Sequence, residues 1–359
     1  MFKKLIWRFG KKLENLASFI VKSTELPPPA VKPDDKEEIN YFIAPQIGVD
    51  LSRFLYKSRL KCVDIGARGE GLPELKIIAP FVDYFACEPE LVANLELHEG
   101  MEGKKWRSYT LFKDAIGTGK YGNVLHVTQQ PGLSSLLKPN NEVFSRYYND
   151  DSFSVVSTEN INLISLDVAA NANKFEDACF LKIDTQGSEL DILESGKELL
   201  SSSLVGIYVE AEFQSFYTDQ PLFKDVDRYI TSHGFELFDM IKSGVRRAGY
   251  DANRYSRRQT TWAHILYLKD IDILKRHPNR MQKMAQLFAL AIAFENYDFA
   301  LEMLSKGLLT ETEDKGFYEG IKRDINAIID YRTKISLHLM SSKEALLHAK
   351  NDIKMQWFG

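Results

Sequence analysis

Several features that mark common protein classes are missing from this sequence. Its 359 residues include three cysteines, none of them spaced as a metal or redox motif. An odd number of thiols, each within an apolar run, argues against a disulfide framework and predicts a reducing compartment. No run of about 18 apolar residues occurs, so no transmembrane helix is predicted. The net charge of −4 gives no support for nucleic acid as a partner. These absences predict a cytoplasmic protein.

The N-terminal segment 1–24 departs from the otherwise even distribution of charge. Apolar residues recur there at helical spacing, and basic residues occupy positions between them: Phe2, Leu5, Ile6, Phe9, Leu13, Leu16 and Ile20 are apolar, and Lys3, Lys4, Arg8, Lys11 and Lys12 are basic. A basic amphipathic helix of this kind can lie on the inner face of an anionic membrane. It can equally pack on its own domain or on another subunit. It lacks the apolar core and cleavage site of a signal peptide.

Composition divides the rest of the chain into three regions. Residues 25–40 form a proline-rich charged linker. Residues 41–269 alternate strand and helix patterns, which predicts an α/β domain with a mostly parallel sheet. An irregular segment, about 118–160, interrupts that domain and is predicted to be an insertion over one end of the sheet. Residues 270–359 show helical patterns only, which suggests an appendage for homo-oligomer formation or partner binding.

Three predicted strands in the first half of the sheet end in an acid. Asp64 ends the first within VDIGARG, Glu88 the second within CEPE, and Asp114 the third within DAIG. In a dinucleotide-type half-sheet, an acid about 20 residues after the first turn binds ribose hydroxyls. An acid after the third strand can accept a hydrogen bond from an adenine amino group. Each acid alone also fits a helix cap, but three at these intervals predict a nucleoside cofactor.

The first turn distinguishes between nucleoside cofactors. An NAD site needs G-x-G-x-x-G opening into a helix that binds the pyrophosphate. The turn here reads Gly-Ala-Arg-Gly and follows an acid, which suits a ligand without phosphates and with a positive end. This favours S-adenosylmethionine, with Asp64 near its amino group and the glycine backbone near its carboxylate. The candidate cofactor-binding residues are Asp64, Gly66, Ala67, Arg68, Gly69, Glu88, Pro89, Asp114 and Ala115.

A second set of candidates lies in residues 179–196, CFLKIDTQGSELDILESG. The pattern predicts a buried strand that ends at Asp184, a turn at Gly187 and a helix capped by Ser188. Ligands bind at the carboxyl ends of strands in open α/β sheets, so Asp184 is a candidate site residue. The alternative is that Asp184 only caps the helix. Glu210, in the next predicted strand, is the second candidate.

From about residue 60 to 268 the chain resembles the FkbM family of S-adenosylmethionine-dependent methyltransferases. The resemblance rests on an ordered set of segments: VDIGARG, CEPE, DAIG, Ser134-Ser135, LISLD, LKIDTQGSELDILESG, IYVEAEF and HGFELFDM. It implies a Rossmann-like, seven-stranded class I methyltransferase sheet whose last strand, Thr261–Leu268, is antiparallel. It also implies methyl transfer to an oxygen, often a hydroxyl of a sugar. Arg68 departs from the family, which commonly has Asn there.

The sequence therefore predicts an O-methyltransferase that acts on a hydroxyl of a sugar or of a glycan or glycolipid precursor. Asp184 and Glu210 are the candidate catalytic bases, with His126 and His233 as further ones. A carboxylate pair can also hold a divalent cation, but no third ligand is evident, so no metal site is predicted. The alternative function is a non-catalytic, methyltransferase-like scaffold in a polysaccharide assembly complex.

Two further groups of side chains bear on the acceptor. The aromatic group can stack on a sugar ring or pack as core, and comprises Phe144, Tyr147, Tyr148, Phe153, Phe213, Phe216 and Tyr217. The arginine group can bind an anionic acceptor or form a solvated loop, and comprises Arg246, Arg247, Arg254, Arg257 and Arg258.

Overall fold

The computed structural model of the chain describes six stretches: 47–67, 71–89, 106–147, 151–249, 258–309 and 315–334. The N-terminal helix predicted over 1–24 and the linker predicted over 25–40 lie outside the described residues, as do Arg68 and Gly69. The chain divides into two compact units. One runs from Ser58 to Phe294, and the other combines residues up to Lys57 with residues from Glu295.

The described strands number eleven in chain order. They are β1 (Leu60–Ile65), β2 (Val82–Cys87), β3 (Ser108–Phe112), β4 (Ala115–Ile116), β5 (Val124–Thr128), β6 (Val155–Asn160), β7 (Leu163–Ile164), β8 (Phe180–Ile183), β9 (Gly206–Glu212), β10 (Phe235–Val245) and β11 (Gln259–Lys269).

The described helices include nine with assigned bounds. They are α1 (Val49–Lys57), α2 (Asn141–Phe144), α3 (Leu166–Asn173), α4 (Glu189–Glu194), α5 (Lys197–Ser202), α6 (Phe223–Ser232), α7 (Ile271–Leu274), α8 (Arg280–Ala293) and α9 (Tyr297–Ser305). Residues 315–334 are also helical.

Seven strands form one mixed sheet in the order β10-β11-β9-β8-β1-β2-β3. The pairs β9-β8, β8-β1, β1-β2 and β2-β3 are parallel, whereas β11 runs antiparallel to both β9 and β10. The central strands are buried along almost their whole length, and β9 is buried at every position. Such strands are typical of a parallel sheet covered on both faces. The carboxyl ends of β1, β2, β8 and β9 therefore meet at one edge.

The core beside the sheet explains why these helices form. The helices α3 to α6 turn their apolar residues onto a cluster that includes Leu181 and Ile207, both fully buried. Three phenylalanines close one end of this cluster, since the ring of Phe175 lies 5.5 Å from that of Phe85 and 5.7 Å from that of Phe112. Edge-on and tilted ring pairs at these distances stabilise a core beyond their buried area.

Helix α8 lies in the unit that contains the sheet, although the sequence places it in the C-terminal helical region that starts at residue 270. Its residues Leu287, Phe288 and Leu290 are fully buried. A Cβ atom on Gly206 would lie 2.6 Å from the side chain of Leu290, so α8 packs directly on the start of β9. The structural boundary follows Phe294 because α8 shares the core of the sheet.

The predicted insertion contains a hairpin of β5 and β6, which pair antiparallel as a separate sheet. The insertion is followed by β7, which pairs parallel with β4. Asp191 of α4 is buried and ties the insertion to the domain: its carboxylate accepts hydrogen bonds from the backbone N–H of Thr118, at 2.8 Å, and from the hydroxyl of Thr118.

The aromatic residues of the insertion pack on one another. Phe144, Tyr147 and Phe153 are buried in one cluster with Phe216 and Tyr217. The rings of Phe144 and Phe153 have centroids 4.2 Å apart. Of the two sequence-based interpretations, these five side chains therefore fit core packing. Tyr148 lies outside the described residues.

The second unit has its own anchoring contact. The Asp324 carboxylate accepts hydrogen bonds from the backbone N–H groups of Asp50 and Leu51, each at 3.0 Å. These two N–H groups lie in the first turn of α1, where helix N–H groups have no partner within the helix. A side chain from the helix over 315–334 thus caps α1. Within the described stretches, no helix is long and apolar enough to cross a membrane.

Candidate active site

A cavity of about 230 Å³ opens where β1, β2 and β8 end. Its wall combines strand ends with residues of the insertion such as Ser135 and Leu136. Among the predicted cofactor-binding residues, four line it: Gly66, Glu88, Pro89 and Ala115. Three others that the structure describes do not: Asp64, Ala67 and Asp114. Of the two predicted bases, Asp184 lines the cavity and Glu210 does not, but Gln186 donates a hydrogen bond to each of them. Arg68 and Gly69 are not among the described residues.

Asp64 is buried and bonded within the protein. Its Oδ2 accepts a hydrogen bond from Tyr84 Oη at 2.5 Å, and its Oδ1 lies 2.9 Å from Lys182 Nζ. The same Lys182 amine donates to the carbonyl of Gly66 and lies 4.0 Å from Asp184. Lys182 is thus paired first with Asp64, although Asp184 is nearer to it in sequence. Burial, reinforced by the Asp64 charge, raises the pKa of Tyr84, which keeps it a donor to that carboxylate.

Gly66 is required by the protein's own backbone. Its φ is +74°, and a Cβ atom there would lie 2.0 Å from the backbone oxygen of Asp184. Only glycine adopts this conformation readily and also allows so close an approach. The N–H groups of Gly66 and Ala67 both donate to the carbonyl of Cys87, at 3.1 and 3.0 Å. The close approach expected for a ligand is made here by the end of β8.

The turn after β8 is fixed by Glu189. Its carboxylate accepts hydrogen bonds from the backbone N–H groups of Thr185, at 2.8 Å, and Gly187, at 3.0 Å. Ser188 occupies the N-cap position, but its hydroxyl donates to Thr185 and makes no capping bond. The cap predicted for Ser188, and the alternative in which Asp184 is the cap, are both replaced by Glu189. The Asp184 carboxylate is left to face the cavity.

Gln186 joins the two predicted catalytic carboxylates. Its Nε2 donates to Asp184 Oδ1 at 2.8 Å and to Glu210 Oε2 at 2.7 Å. Its own φ is +59°, an uncommon conformation for a residue with a side chain. Tyr217 Oη donates to its Oε1, and Ser135 Oγ donates to its backbone oxygen. Strained residues held by several contacts are frequent at functional sites. Sequence reasoning missed Gln186, although it lies inside the most specific segment of the resemblance.

His264 of β11 completes the cluster and was also missed. It is the register partner of Glu210, and its Nε2 lies 3.9 Å from Glu210 Oε1. One donor atom each from Asp184, Glu210 and His264 lies within 4.8 Å of the other two, so these three could hold a metal ion. The sequence signal for His264 is a histidine inside the otherwise apolar segment TWAHILYL. Its contact with Glu210, however, depends on how β9 and β11 pair.

The other two histidines have different surroundings. His126 of β5 lines a separate cavity of about 390 Å³ with Lys138. Burial and the nearby Lys138 charge lower the pKa of His126. The Nδ1 of His233 lies 2.8 Å from the backbone oxygen of Tyr229, at the end of α6, so this histidine serves the helix terminus.

The environment shifts the pKa values of Asp184 and Glu210 in opposite directions. Burial opposes ionisation of Asp184, but the Lys182 charge and the hydrogen bond with Glu210 hold its pKa below the ordinary value. Burial and the adjacent Asp184 charge raise the pKa of Glu210 well above its usual range. Of the two carboxylates, Asp184 is therefore the one whose surroundings favour the charged form.

The seven-stranded mixed sheet, with flanking helices and a cavity at its strand ends, is a Rossmann-like arrangement in which ligands bind at the carboxyl ends of the strands. Residues 81–237 match the family model of the methyltransferase FkbM domain, which confirms the predicted resemblance to that family. No curated protein matches the chain.

Solved structures of methyltransferases show more distant similarity. Precorrin-6y C5,15-methyltransferase from Geobacter metallireducens has 11% identity and a TM-score of 0.33, covering 61% of this chain and 86% of that chain. An S-adenosylmethionine-dependent methyltransferase from Anabaena variabilis has 10% identity and a TM-score of 0.28, covering 59% and 78%. Another from Clostridium acetobutylicum has 10% identity and a TM-score of 0.27, covering 65% and 93%.

Proposed function

We propose that the chain transfers a methyl group from S-adenosylmethionine to a hydroxyl of a sugar or of a glycan or glycolipid precursor. The observation that carries this proposal is the position of Asp184. Its carboxylate lines the same cavity as Glu88 and Ala115, within a domain that matches the family model of the methyltransferase FkbM domain. A nucleoside-binding wall and a carboxylate that can engage a hydroxyl thus share one cavity.

The residues around the cavity fit the cofactor. Glu88 is 4% exposed and lines the cavity at the end of β2, where an acid can accept hydrogen bonds from ribose hydroxyls. Ile116, Leu125 and Leu136 supply apolar surface of the kind that an adenine ring requires. When bound, S-adenosylmethionine would supply a methyl group activated by its sulfonium. Glu88, Pro89 and Ala115 are the residues proposed to hold it, with Asp64 in a supporting role through Lys182.

The protein must then orient the acceptor hydroxyl and receive its proton. Asp184 is proposed for both tasks because it is the carboxylate of the cluster that faces the cavity. Gln186 fixes its direction through the hydrogen bond at 2.8 Å, and the same amide donates to Glu210, the second carboxylate. A group held from several sides loses little freedom when the acceptor binds.

A sugar acceptor is supported by the polar groups at the cavity, since carboxylates and a side-chain amide suit the hydroxyls of a sugar. An anionic acceptor is supported by Arg246 and Arg247. The Arg247 guanidinium lies 4.7 Å from the ring centroid of Tyr147, and Arg246 Nε is buried without a hydrogen-bond partner among the described residues. Arg254 and Arg257 lie outside those residues.

The test combines cofactor binding with methyl transfer. The full chain would be dialysed against methyl-labelled S-adenosylmethionine and then incubated with nucleotide-sugars, neutral glycans and lipid-linked glycans. Glu88→Gln is expected to weaken cofactor binding at least tenfold. Asp184→Asn is expected to retain the cofactor and lose at least 99% of transfer. Asp177→Asn, an exposed acid paired with Lys61, is the matched control and should change neither.

Two outcomes would overturn the proposal. No binding at millimolar cofactor would remove the enzymatic function and favour the non-catalytic scaffold. Transfer by Asp184→Asn at the wild-type rate would remove Asp184 from the reaction. Transfer only to nucleotide-sugars and lipid-linked glycans, and not to neutral glycans, would support the anionic acceptor.

A further inference from the structure

We infer that Asp184, Glu210 and His264 form a binding site for one divalent cation of the Mn²⁺ or Zn²⁺ type. The inference deepens the proposed function, on which it rests in one respect: the cation would lie where the acceptor hydroxyl is proposed to bind. A bound cation lowers the pKa of an oxygen coordinated to it, which would assist loss of the hydroxyl proton.

The three donors converge from three neighbouring strands. Asp184 follows β8, Glu210 lies on β9 and His264 lies on β11, and these strands are adjacent in the sheet. Each contributes one donor atom within 4.8 Å of the other two. Two ligands of one ion, each about 2.1 Å from it, stand about 3 to 4.2 Å apart. A small inward shift of the side chains would therefore close the site.

Two donor atoms of the cluster, Glu210 Oε1 and His264 Nε2, face each other without a hydrogen bond between them. Glu210 Oε1 and His264 Nε2 are 3.9 Å apart, which is too long for a hydrogen bond. The distance is within the range for two ligands of the same metal. Glu210 Oε2 accepts a hydrogen bond from Gln186, and Oε1 is the oxygen that faces His264 and would coordinate. The antiparallel pairing of β9 with β11 fixes this juxtaposition, because Glu210 and His264 are register partners.

The chemistry of the donors selects the class of ion. Two carboxylates and one imidazole suit Mn²⁺, Fe²⁺ or Zn²⁺ better than Mg²⁺, which prefers an all-oxygen environment. Three protein ligands also leave coordination positions open, as in catalytic rather than structural metal sites. The His264 side chain is 32% exposed, so the open positions face a route to solvent. Its ring stacks on Tyr208, with centroids 5.7 Å apart, which fixes its orientation.

The surroundings hold more acidic side chains than Lys182 can pair with. Glu212 lies two residues beyond Glu210 on the same face of β9, and it is 4% exposed. Its Oε2 has no hydrogen-bond partner among the described residues. Lys182 is committed to Asp64 at 2.9 Å and reaches Asp184 only at 4.0 Å. A buried carboxylate without a counter-charge is costly, so a cation would relieve this arrangement.

The test is a titration with Mn²⁺, followed by electron paramagnetic resonance, on the full chain after treatment with EDTA. Loss of the free-ion signal is expected at one Mn²⁺ per chain, and Zn²⁺ should displace the ion. Glu210→Gln and His264→Asn should each weaken binding at least tenfold. His233→Asn is the matched control at the end of α6 and should bind as the wild type does. Thermal unfolding by circular dichroism checks that each variant folds.

The possible results separate the two proposals. Absence of binding at millimolar Mn²⁺, or binding that neither site variant weakens, would overturn the cation site. If Glu210→Gln does not fold, the His264→Asn variant still tests the cation site, because His264 is partly exposed and its substitution disturbs the fold less. Cofactor binding is measured separately in EDTA. Cofactor bound without any Mn²⁺ site overturns only the cation inference, whereas Mn²⁺ bound at these residues without cofactor binding overturns only the methyltransferase proposal.

Discussion

The substitution Gly66→Ala tests how closely β1 approaches the end of β8. An alanine at a left-handed φ costs about 1 kcal/mol. Its Cβ would also lie 2.0 Å from the backbone oxygen of Asp184, where ordinary contacts begin at 3.4 Å. A backbone oxygen cannot rotate away as a side chain can, so the strand end or the turn must move. Overpacking of this kind costs about 1–3 kcal/mol, which gives a total loss of about 2–4 kcal/mol.

The chain offers a matched control for this prediction. Gly119 has a φ of +84°, but a Cβ atom there would meet nothing within 4 Å. Gly119→Ala should therefore lose only about 1 kcal/mol, from the backbone conformation alone. Urea unfolding followed by far-ultraviolet circular dichroism measures both variants. Equal losses would refute the reasoning, because they would mean that the approach of Gly66 to Asp184 carries no energy.

Three further predictions concern buried charges. Lys182→Met leaves Asp64 without its counter-ion and should cost about 3–5 kcal/mol in urea unfolding, with partial recovery in the Asp64→Asn double variant. Asp191→Ala removes the carboxylate that anchors the insertion, so limited trypsin digestion should cut faster at the exposed Lys120. Burial lowers the pKa of Lys269 to about 8. An unfolded lysine, with a pKa of about 10.4, protonates first as pH falls. Wild-type stability should therefore fall by about 2–3 kcal/mol between about pH 10.5 and 8 relative to Lys269→Met.

Each of these predictions has a result that contradicts it. Equal stability of Lys182→Met and the double variant would mean that the buried ion pair does not matter. If the Asp191→Ala variant is digested at the wild-type rate, Asp191 does not anchor the insertion to α4. A constant difference between wild type and Lys269→Met across that pH range would show that the amine titrates normally.

The sequence was informative where a signal is local. Alternating apolar residues, turn glycines and terminal acids predicted β1, β2, β8 and β9. Placing Asp184 at the cavity also needed only the rule that ligands bind at the carboxyl ends of parallel strands. These features depend on residues that are neighbours along the chain.

The sequence was uninformative where a contact depends on strand register. His264 meets Glu210 only because β11 pairs antiparallel with β9 in one particular alignment. Lys182 pairs with Asp64 across neighbouring strands, although the nearer acid in sequence is Asp184. The glycine turn was interpreted as an approach to a ligand, whereas Gly66 is required by the carbonyl of Asp184. In each case the partner lies on a different strand, and a single sequence does not state which strands adjoin.

The link between Asp191 and Thr118 has a consequence for how this protein can vary. The two positions are 73 residues apart, yet two hydrogen bonds to one carboxylate join them. A substitution that removes the Thr118 hydroxyl takes away one of the two hydrogen bonds that the buried Asp191 carboxylate accepts, so a tolerated change at position 118 should be accompanied by a change at position 191. Among homologous chains, positions 118 and 191 should therefore substitute as a pair, and a grafted insertion should keep its stability only if it brings a compatible residue for position 191.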